Sequence, residues 1–203
     1  MPMTSAATPP APHPDPIARF NDALARALRR APESGNACTL ATANRDGIPS
    51  ARIVLLKECD ARGFVFFTNL MSRKAQELRD NPNAALTFFW PEVGEQVRVE
   101  GTVEPVSRAE SAAYFETRPR LSQLGAWASE QSQPLASRDI LSERMAELVR
   151  RYDGKDVPCP PHWGGNRVVP RVIEFWHAQA HRLHDREVYV RADGGWACGL
   201  LNP

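Results

Sequence analysis

The chain is poor in cysteine, with four in 203 residues, at positions 38, 59, 159 and 198, and no Cys-x-x-Cys pair among them. A chain of this length can build its own core, so a disulfide scaffold is not expected. The four are read as reduced, mostly buried thiols of a cytoplasmic protein. Long apolar runs are missing too. Residues 53–56 and 64–67 are strand-sized, against the roughly 20 residues that a membrane helix needs. The N-terminus has no basic stretch leading into an apolar segment, so no secretory signal is expected. Neither sign of charge dominates: 25 basic and 24 acidic side chains leave a net +1. That excludes a global field that would gather nucleic acid or an anionic membrane. There is no Gly-x-Gly-x-x-Gly and no Walker loop, so a bound phosphate must be held by side chains. His177, His181 and His184 lie close in sequence, but neighbouring arginines would repel a cation and no metal is expected.

What is present reads as strands with helical additions. Residues 1–14 are rich in Pro, Ala and Ser and are expected to be a disordered tail, leaving residues 15–203 as a single domain. Asp15 followed by Pro16 predicts a helix start, with Ile17, Phe20, Leu24 and Leu28 on its inner face. Strands follow at 37–43, 49–57 and 64–69. Asp46-Gly47 marks a hairpin between the first two. A short helix from Ser72 to Asp80 stops before Pro82, and strands return at 84–90 and 96–105. Ser107 and Glu110 form a capping box for a helix towards Arg118. Residues 137–152 give the clearest amphipathic helix, with Ile140, Leu141, Met145, Leu148 and Val149 inward. Strands at 168–176, 183–191 and 196–201 close the chain. Successive antiparallel strands favour a β-barrel with helices, an α+β fold, over alternating βαβ units.

Four clusters could carry chemistry. On a strand, Arg52 and Lys57 fall on opposite faces of an apolar run, and read alone they more readily end a strand in solvent than grip an anion. Arg73 and Lys74 sit at a helix N-terminus, where cations oppose the dipole. That mismatch points to a phosphate between them. Tyr114 and Arg118 share a helix face, with Ser122 close by, and a guanidinium fork suits phosphate oxygens. As a strand, residues 182–186 would put Arg182, His184 and Arg186 on one face, a cationic row that needs an anion or solvent opposite. Trp163 and Trp176 are large surfaces near these groups, for which core packing is the commoner role. Gln96, Gln131 and Ser132 carry little signal alone.

Taken in order, the stretches RIVLLK (52–57), FFTN (66–69), SRK (72–74), QVRVEG (96–101), YFETRPRLSQLGAWAS (114–129), QS (131–132), EFW (174–176) and RLHDR (182–186) resemble the pyridoxine/pyridoxamine 5′-phosphate oxidase family. The resemblance covers nearly all of residues 15–203. It implies an FMN-binding split β-barrel, mostly antiparallel, working as a homodimer with shared sites. It implies FMN contacts from Arg52, Ile53, Val54, Leu55, Leu56, Lys57, Phe67, Thr68, Arg73, Lys74 and Gln96, completed from the partner chain by Gln131, Ser132, Trp176 and Arg186. The substrate phosphate would sit among Lys57, Tyr114, Arg118 and Ser122. Arg182, Leu183 and His184 would lie at the substrate ring, with Arg182 and His184 orienting the reacting amine or alcohol and assisting its deprotonation. The implied reaction oxidises pyridoxamine or pyridoxine 5′-phosphate to pyridoxal 5′-phosphate, with dioxygen as acceptor and hydrogen peroxide as product.

The chain departs from the family pattern in places. The first 14 residues lack the Arg and Tyr of a closing segment. Asn166 stands where an aromatic is usual, His177 and Ala178 replace glycines, and Leu200 replaces a basic residue. Two other readings stay open: a related flavin oxidase of another small aromatic, of phenazine type, and a non-catalytic carrier of FMN or pyridoxal phosphate.

Overall fold

The computed structural model describes residues 13–203; the expected tail at 1–14 lies almost wholly outside them. Helix α1 (Pro16–Arg30) starts where Asp15 accepts the Ile17 N–H at 2.9 Å, with Pro16 in the first turn. Its inner face differs from the expected one. Ala23 and Ala27 are buried beside Phe20, while Leu24 and Leu28 are half-buried. The small alanines let the helix lie close to the sheet, and the leucines flank it.

The strands are β1 (Ala37–Ala43), β2 (Pro49–Leu55), β3 (Glu58–Asp60), β4 (Gly63–Asn69), β5 (Asn83–Trp90), β6 (Glu95–Pro105), β7 (Trp163–His177), β8 (Asp185–Ala192) and β9 (Gly195–Leu200). They form one antiparallel sheet in the order β2-β1-β5-β6-β7-β4-β3, with β8 on the outer part of β7 and β9 on β8. This is the curled sheet of a split barrel. The β1–β2 hairpin turns where expected: Asn44 Oδ1 accepts the N–H groups of Asp46 and Ile48, and Gly47 has φ +80°.

Long β7 makes the split. Its first half pairs with β4 and its second half with β8, while β6 runs beside it throughout. The β6–β7 register shifts at Glu100/Gly101. A Cβ on Gly101 would lie 2.0 Å from the Val169 carbonyl oxygen, so only glycine permits this approach. Inside the curl, Phe20 packs edge-on against Phe64 (4.8 Å) and Phe88 (4.9 Å), with Leu40, Leu86, Val97, Val99 and Ile173 around them.

Helices α2 (Arg73–Asp80), α3 (Arg108–Glu116), α4 (Arg120–Ala128) and α5 (Arg138–Arg151) lie outside the sheet. The capping box at Ser107 and Glu110 forms as expected. Helix α4 was not expected; it opens directly after Pro119, a residue that ends one helix and is equally tolerated at the start of another. Helix α5 buries no residue fully. Met145 and Leu148 pack against a second cluster of Phe115, Leu124, Val157 and Trp163, but Val149 is exposed. The thiols are also less buried than expected: only Cys38 is fully enclosed, and Cys198 is exposed. No helix of the described residues is long and apolar enough to cross a membrane.

Candidate active site

A cavity of about 640 Å³ opens between β2, the end of β4, the start of α2 and the α3–α4 corner. Its size suits a small-molecule ligand. Of the residues singled out from the sequence, Ile53, Val54, Leu55, Lys57, Phe67, Thr68, Lys74, Tyr114, Arg118, Ser122 and Gln131 line it. Trp163 and Asn69, both noted in the sequence without a site role, join them with Thr117, Gly125, Ala126 and Ser129; the last four lie within the matching stretch at 114–129, which was the signal available in the sequence.

One wall is aromatic. Phe67 stacks on Tyr114 at 4.2 Å and on Trp163 at 5.2 Å. Gly165 makes room for this, since a Cβ there would lie 2.8 Å from Phe67 Cε1. The Arg118 guanidinium sits over Trp163 at 4.8 Å, and its Nη1 is buried with no hydrogen-bond partner among the described residues. Burial lowers its pKa. A buried, unpartnered guanidinium nitrogen beside Tyr114 and Ser122 is a costly arrangement that an anion would relieve.

Lys74, also on the cavity wall, is buried. Its Nζ donates to Thr68 Oγ1 (3.1 Å), Ser72 Oγ (3.2 Å) and Gln131 Oε1 (2.9 Å), all uncharged oxygens. Burial first, and the nearby Arg52 second, bring this ammonium down to about 8. No carboxylate forms an ion pair with Lys57, Lys74 or Arg118 among the described residues. The cavity thus carries cations without carboxylate partners, a donor set whose chemistry suits phosphate groups.

Arg52 and Arg73 lie beside Lys74 rather than on the cavity wall. Both contact the buried Glu77, a residue that sequence reading passed over. The hint was its place four after Arg73 on a helix. Leu56 does not reach the cavity. It is a core residue whose backbone pairs with Asn36. Gln131, expected from a partner chain, meets Thr68 and Lys74 of its own chain, because the segment after α4 returns over β4. Ser132, next to it, is exposed with φ +72°.

The remaining expected residues gather elsewhere. Gln96, Trp176 and Arg186 are direct neighbours across β6, β7 and β8. Arg186 donates to buried Glu174 at 2.8 Å, and Trp176 packs on His184 at 4.5 Å. The expected strand over 182–184 does not form. Ala180–Arg182 is a 3₁₀ turn, with His181 at φ +57° and Arg182 at φ +62°. Left-handed backbone at non-glycine residues is costly, and among the described residues it occurs only here and at Ser132. The turn breaks the cationic row, so Arg182, exposed Leu183 and His184 project from a corner. His184 Nδ1 accepts the Gln179 backbone N–H at 3.1 Å. A backbone N–H can only donate, so the neutral ring carries its proton on Nε2 and offers a donor there. None of these residues lines the cavity of its own chain.

The departures from the family pattern have plain places. Asn166 is buried with its Nδ2 unpartnered, His177 lies 3.9 Å from Glu95, and Leu200 is exposed.

Comparison with known proteins adds three findings. A family model described as pyridoxamine 5′-phosphate oxidase matches residues 24–150, and one described as the pyridoxine 5′-phosphate oxidase C-terminal dimerisation region matches residues 163–203. The chain is 58% identical over 190 residues to a pyridoxine/pyridoxamine 5′-phosphate oxidase of Myxococcus xanthus, covering 94% of this chain and 92% of that one. It is 55% identical over 195 residues to one of Anaeromyxobacter dehalogenans, covering 96% and 98%. Among solved structures, PhzG from Burkholderia lata in complex with tetrahydrophenazine-1-carboxylic acid superposes with a TM-score of 0.91 at 33% identity, covering 98% of each chain.

Proposed function

The chain belongs to the pyridoxamine 5′-phosphate oxidase family, and from that membership we propose that it oxidises pyridoxamine and pyridoxine 5′-phosphates to pyridoxal 5′-phosphate with bound FMN. Dioxygen is the electron acceptor and hydrogen peroxide the product. The observation that carries this reading is the unpartnered Arg118 Nη1 in a cavity that Tyr114, Ser122, Lys57 and the buried Lys74 also line.

Lys74, Thr68 and Gln131 would hold the flavin phosphate, with Arg52 and Arg73 alongside and residues 53–55 and Phe67 along the ring system. When bound, FMN would supply the two-electron acceptor that dioxygen regenerates. Lys57, Tyr114, Arg118 and Ser122 hold the substrate phosphate by charge-assisted hydrogen bonds, which fixes the substrate ring and supplies rate through positioning. In this reading Gln96, Trp176, Arg182, Leu183, His184 and Arg186 reach the cavity of a second copy in a homodimer. Exposed Ile53 and Leu55 on one side, and Leu183 and Leu200 on the other, offer the apolar surface for that contact. Arg182 and His184 then act as donors that orient the reacting amine or alcohol. Such an alcohol yields the aldehyde directly; the amine yields an imine that water hydrolyses, releasing ammonia. We further read residues 15–203 as one flavin-binding domain, acting in the cytoplasm.

The phenazine-type reading shares the fold of the PhzG structure. The unpartnered Arg118 beside the lining Lys57 and Lys74 cations favours a phosphorylated substrate over it. The test is to supply purified protein with FMN and then with either phosphorylated vitamer, and to record peroxide and aldehyde. Turnover of both supports the proposal. Binding without turnover would establish a carrier instead, and turnover of a non-phosphorylated aromatic alone would establish the phenazine-type activity.

A further inference from the structure

Glu77 has no role in the chemistry above, yet it is built into the edge of the site. It lies one turn after Arg73 on α2, and its side chain is buried. Oε2 accepts from Thr42 Oγ1 (2.5 Å), Ser50 Oγ (2.6 Å) and Arg52 Nη2 (3.2 Å), and Oε1 accepts from Arg73 Nε (2.8 Å). One carboxylate therefore fastens two guanidinium groups that come from a strand and a helix, using a different oxygen for each. Although burial works against ionisation, the bonds from Ser50, Thr42, Arg73 and Arg52 hold its carboxyl down at about 2.

The consequences for the two arginines differ. Arg52 also donates to the Leu40 carbonyl, Thr42 and Ser50, so its orientation is fully determined within the chain. Arg73 uses only Nε. Among the described residues neither of its terminal nitrogens has a partner, and its side chain is 64% exposed. Lys74 is close enough to Arg52 to be influenced by it. Three cations and one carboxylate leave an excess of two positive charges, the complement of a phosphate monoester at neutral pH. Among the described residues Glu77 alone holds Arg73, so without the carboxylate this largely exposed guanidinium would have no fixed position.

We propose that Glu77 is a positioning residue for the flavin phosphate, holding the Arg52 and Arg73 guanidinium groups beside Lys74 before the flavin arrives. This rests on the FMN reading above. Two physical effects of Glu77 predict opposite signs. As a bare negative charge it repels phosphate, so its removal would tighten binding. As a positioning group it presents two cations, so its removal weakens binding.

The experiment titrates flavin-free protein with FMN and with riboflavin, which lacks the phosphate, following flavin fluorescence. Glu77→Ala is expected to weaken FMN binding about tenfold or more, the scale of one lost charge-assisted bond, with riboflavin affinity changed less than about twofold. Glu77→Gln keeps a single acceptor oxygen and is expected to fall between; it carries the test if the alanine variant does not fold. In an Arg73→Ala background the Glu77 effect should shrink, since part of it acts through Arg73. FMN binding as tight as wild type or tighter, an equal loss for both flavins, or full additivity with Arg73→Ala would overturn the role. Failure of the wild type to bind FMN would overturn the functional reading itself, a separate result.

Discussion

Arg118 and Lys74 show how much a single residue's surroundings add to its type. Arg118 could be placed near Tyr114 and Ser122 from spacing alone, but whether it was an exposed helix end or a ligand was open. The buried, unpartnered Nη1 rules out a freely exposed helix end and supports the proposed phosphate role. Arg118→Ala is therefore expected to raise the KM for pyridoxamine 5′-phosphate by about 10- to 100-fold, since a hydrogen bond to a charged group contributes roughly 1.5–3 kcal/mol. Steady-state kinetics check this, and an unchanged KM would remove Arg118 from the phosphate site. Lys74 gives a pH prediction. Its ammonium, lowered by burial and then by Arg52, titrates near 8 in the flavin-free protein. A phosphate dianion binds the protonated form. FMN affinity should then be level between about pH 6, below which the phosphate itself takes up a proton, and about pH 8, and fall above it as the Lys74 proton is lost. Lys74→Met should bind weakly, with that alkaline fall absent. Glu77 left only a faint hint in the sequence, because a glutamate four after an arginine is an ordinary surface pair until its burial is known.

At the scale of elements, local rules located most of the structure and failed where neighbours overrode them. The Asp15 cap, the Asn44–Gly47 turn and the Ser107 capping box all form as local chemistry dictates. Helix α4 and the 3₁₀ turn at Ala180–Arg182 were missed. The first follows a proline that reads equally as stop or start, and the second places non-glycine residues at positive φ, against local preference. Strand β7 carries the main sterically tight element contact of the site. Gly165→Ala would push its new methyl into Phe67 and Val106, both within 3 Å. The expected cost is about 1–3 kcal/mol of stability, read as a lower denaturant midpoint, together with weaker flavin binding as Phe67 shifts. An unaltered midpoint would mean that the Phe67–Tyr114–Trp163 stack can give way freely.

For the whole molecule, the decisive fact is that the expected site residues fall into two groups. One lines the cavity; the other lies along Gln96, Trp176 and Arg186 and the corner after β7. The proposed homodimer unites them, and this can be tested by complementation. Arg118→Ala and His184→Ala chains should each give weakly active homodimers. Refolded or co-expressed together, they should regain roughly a quarter of the wild-type sites, because random pairing makes half the dimers mixed and each mixed dimer holds one intact site. No gain on mixing would show that each chain supplies its whole site alone.

Residue order alone determined the strand-rich fold class, the two phosphate-suited clusters and, through matching stretches in sequence, the family they resemble. Those features are local: periodicity, caps, turns and short runs of charge survive in one dimension. Only the tertiary structure decided that Gln131 lines its own chain's cavity, that Leu56 belongs to the core, that Arg52 and Arg73 share one buried carboxylate, and that Arg182 and His184 leave the strand. Each of these depends on which surfaces meet across long sequence separations, and burial and pairing at such distances have no signature in neighbouring residues.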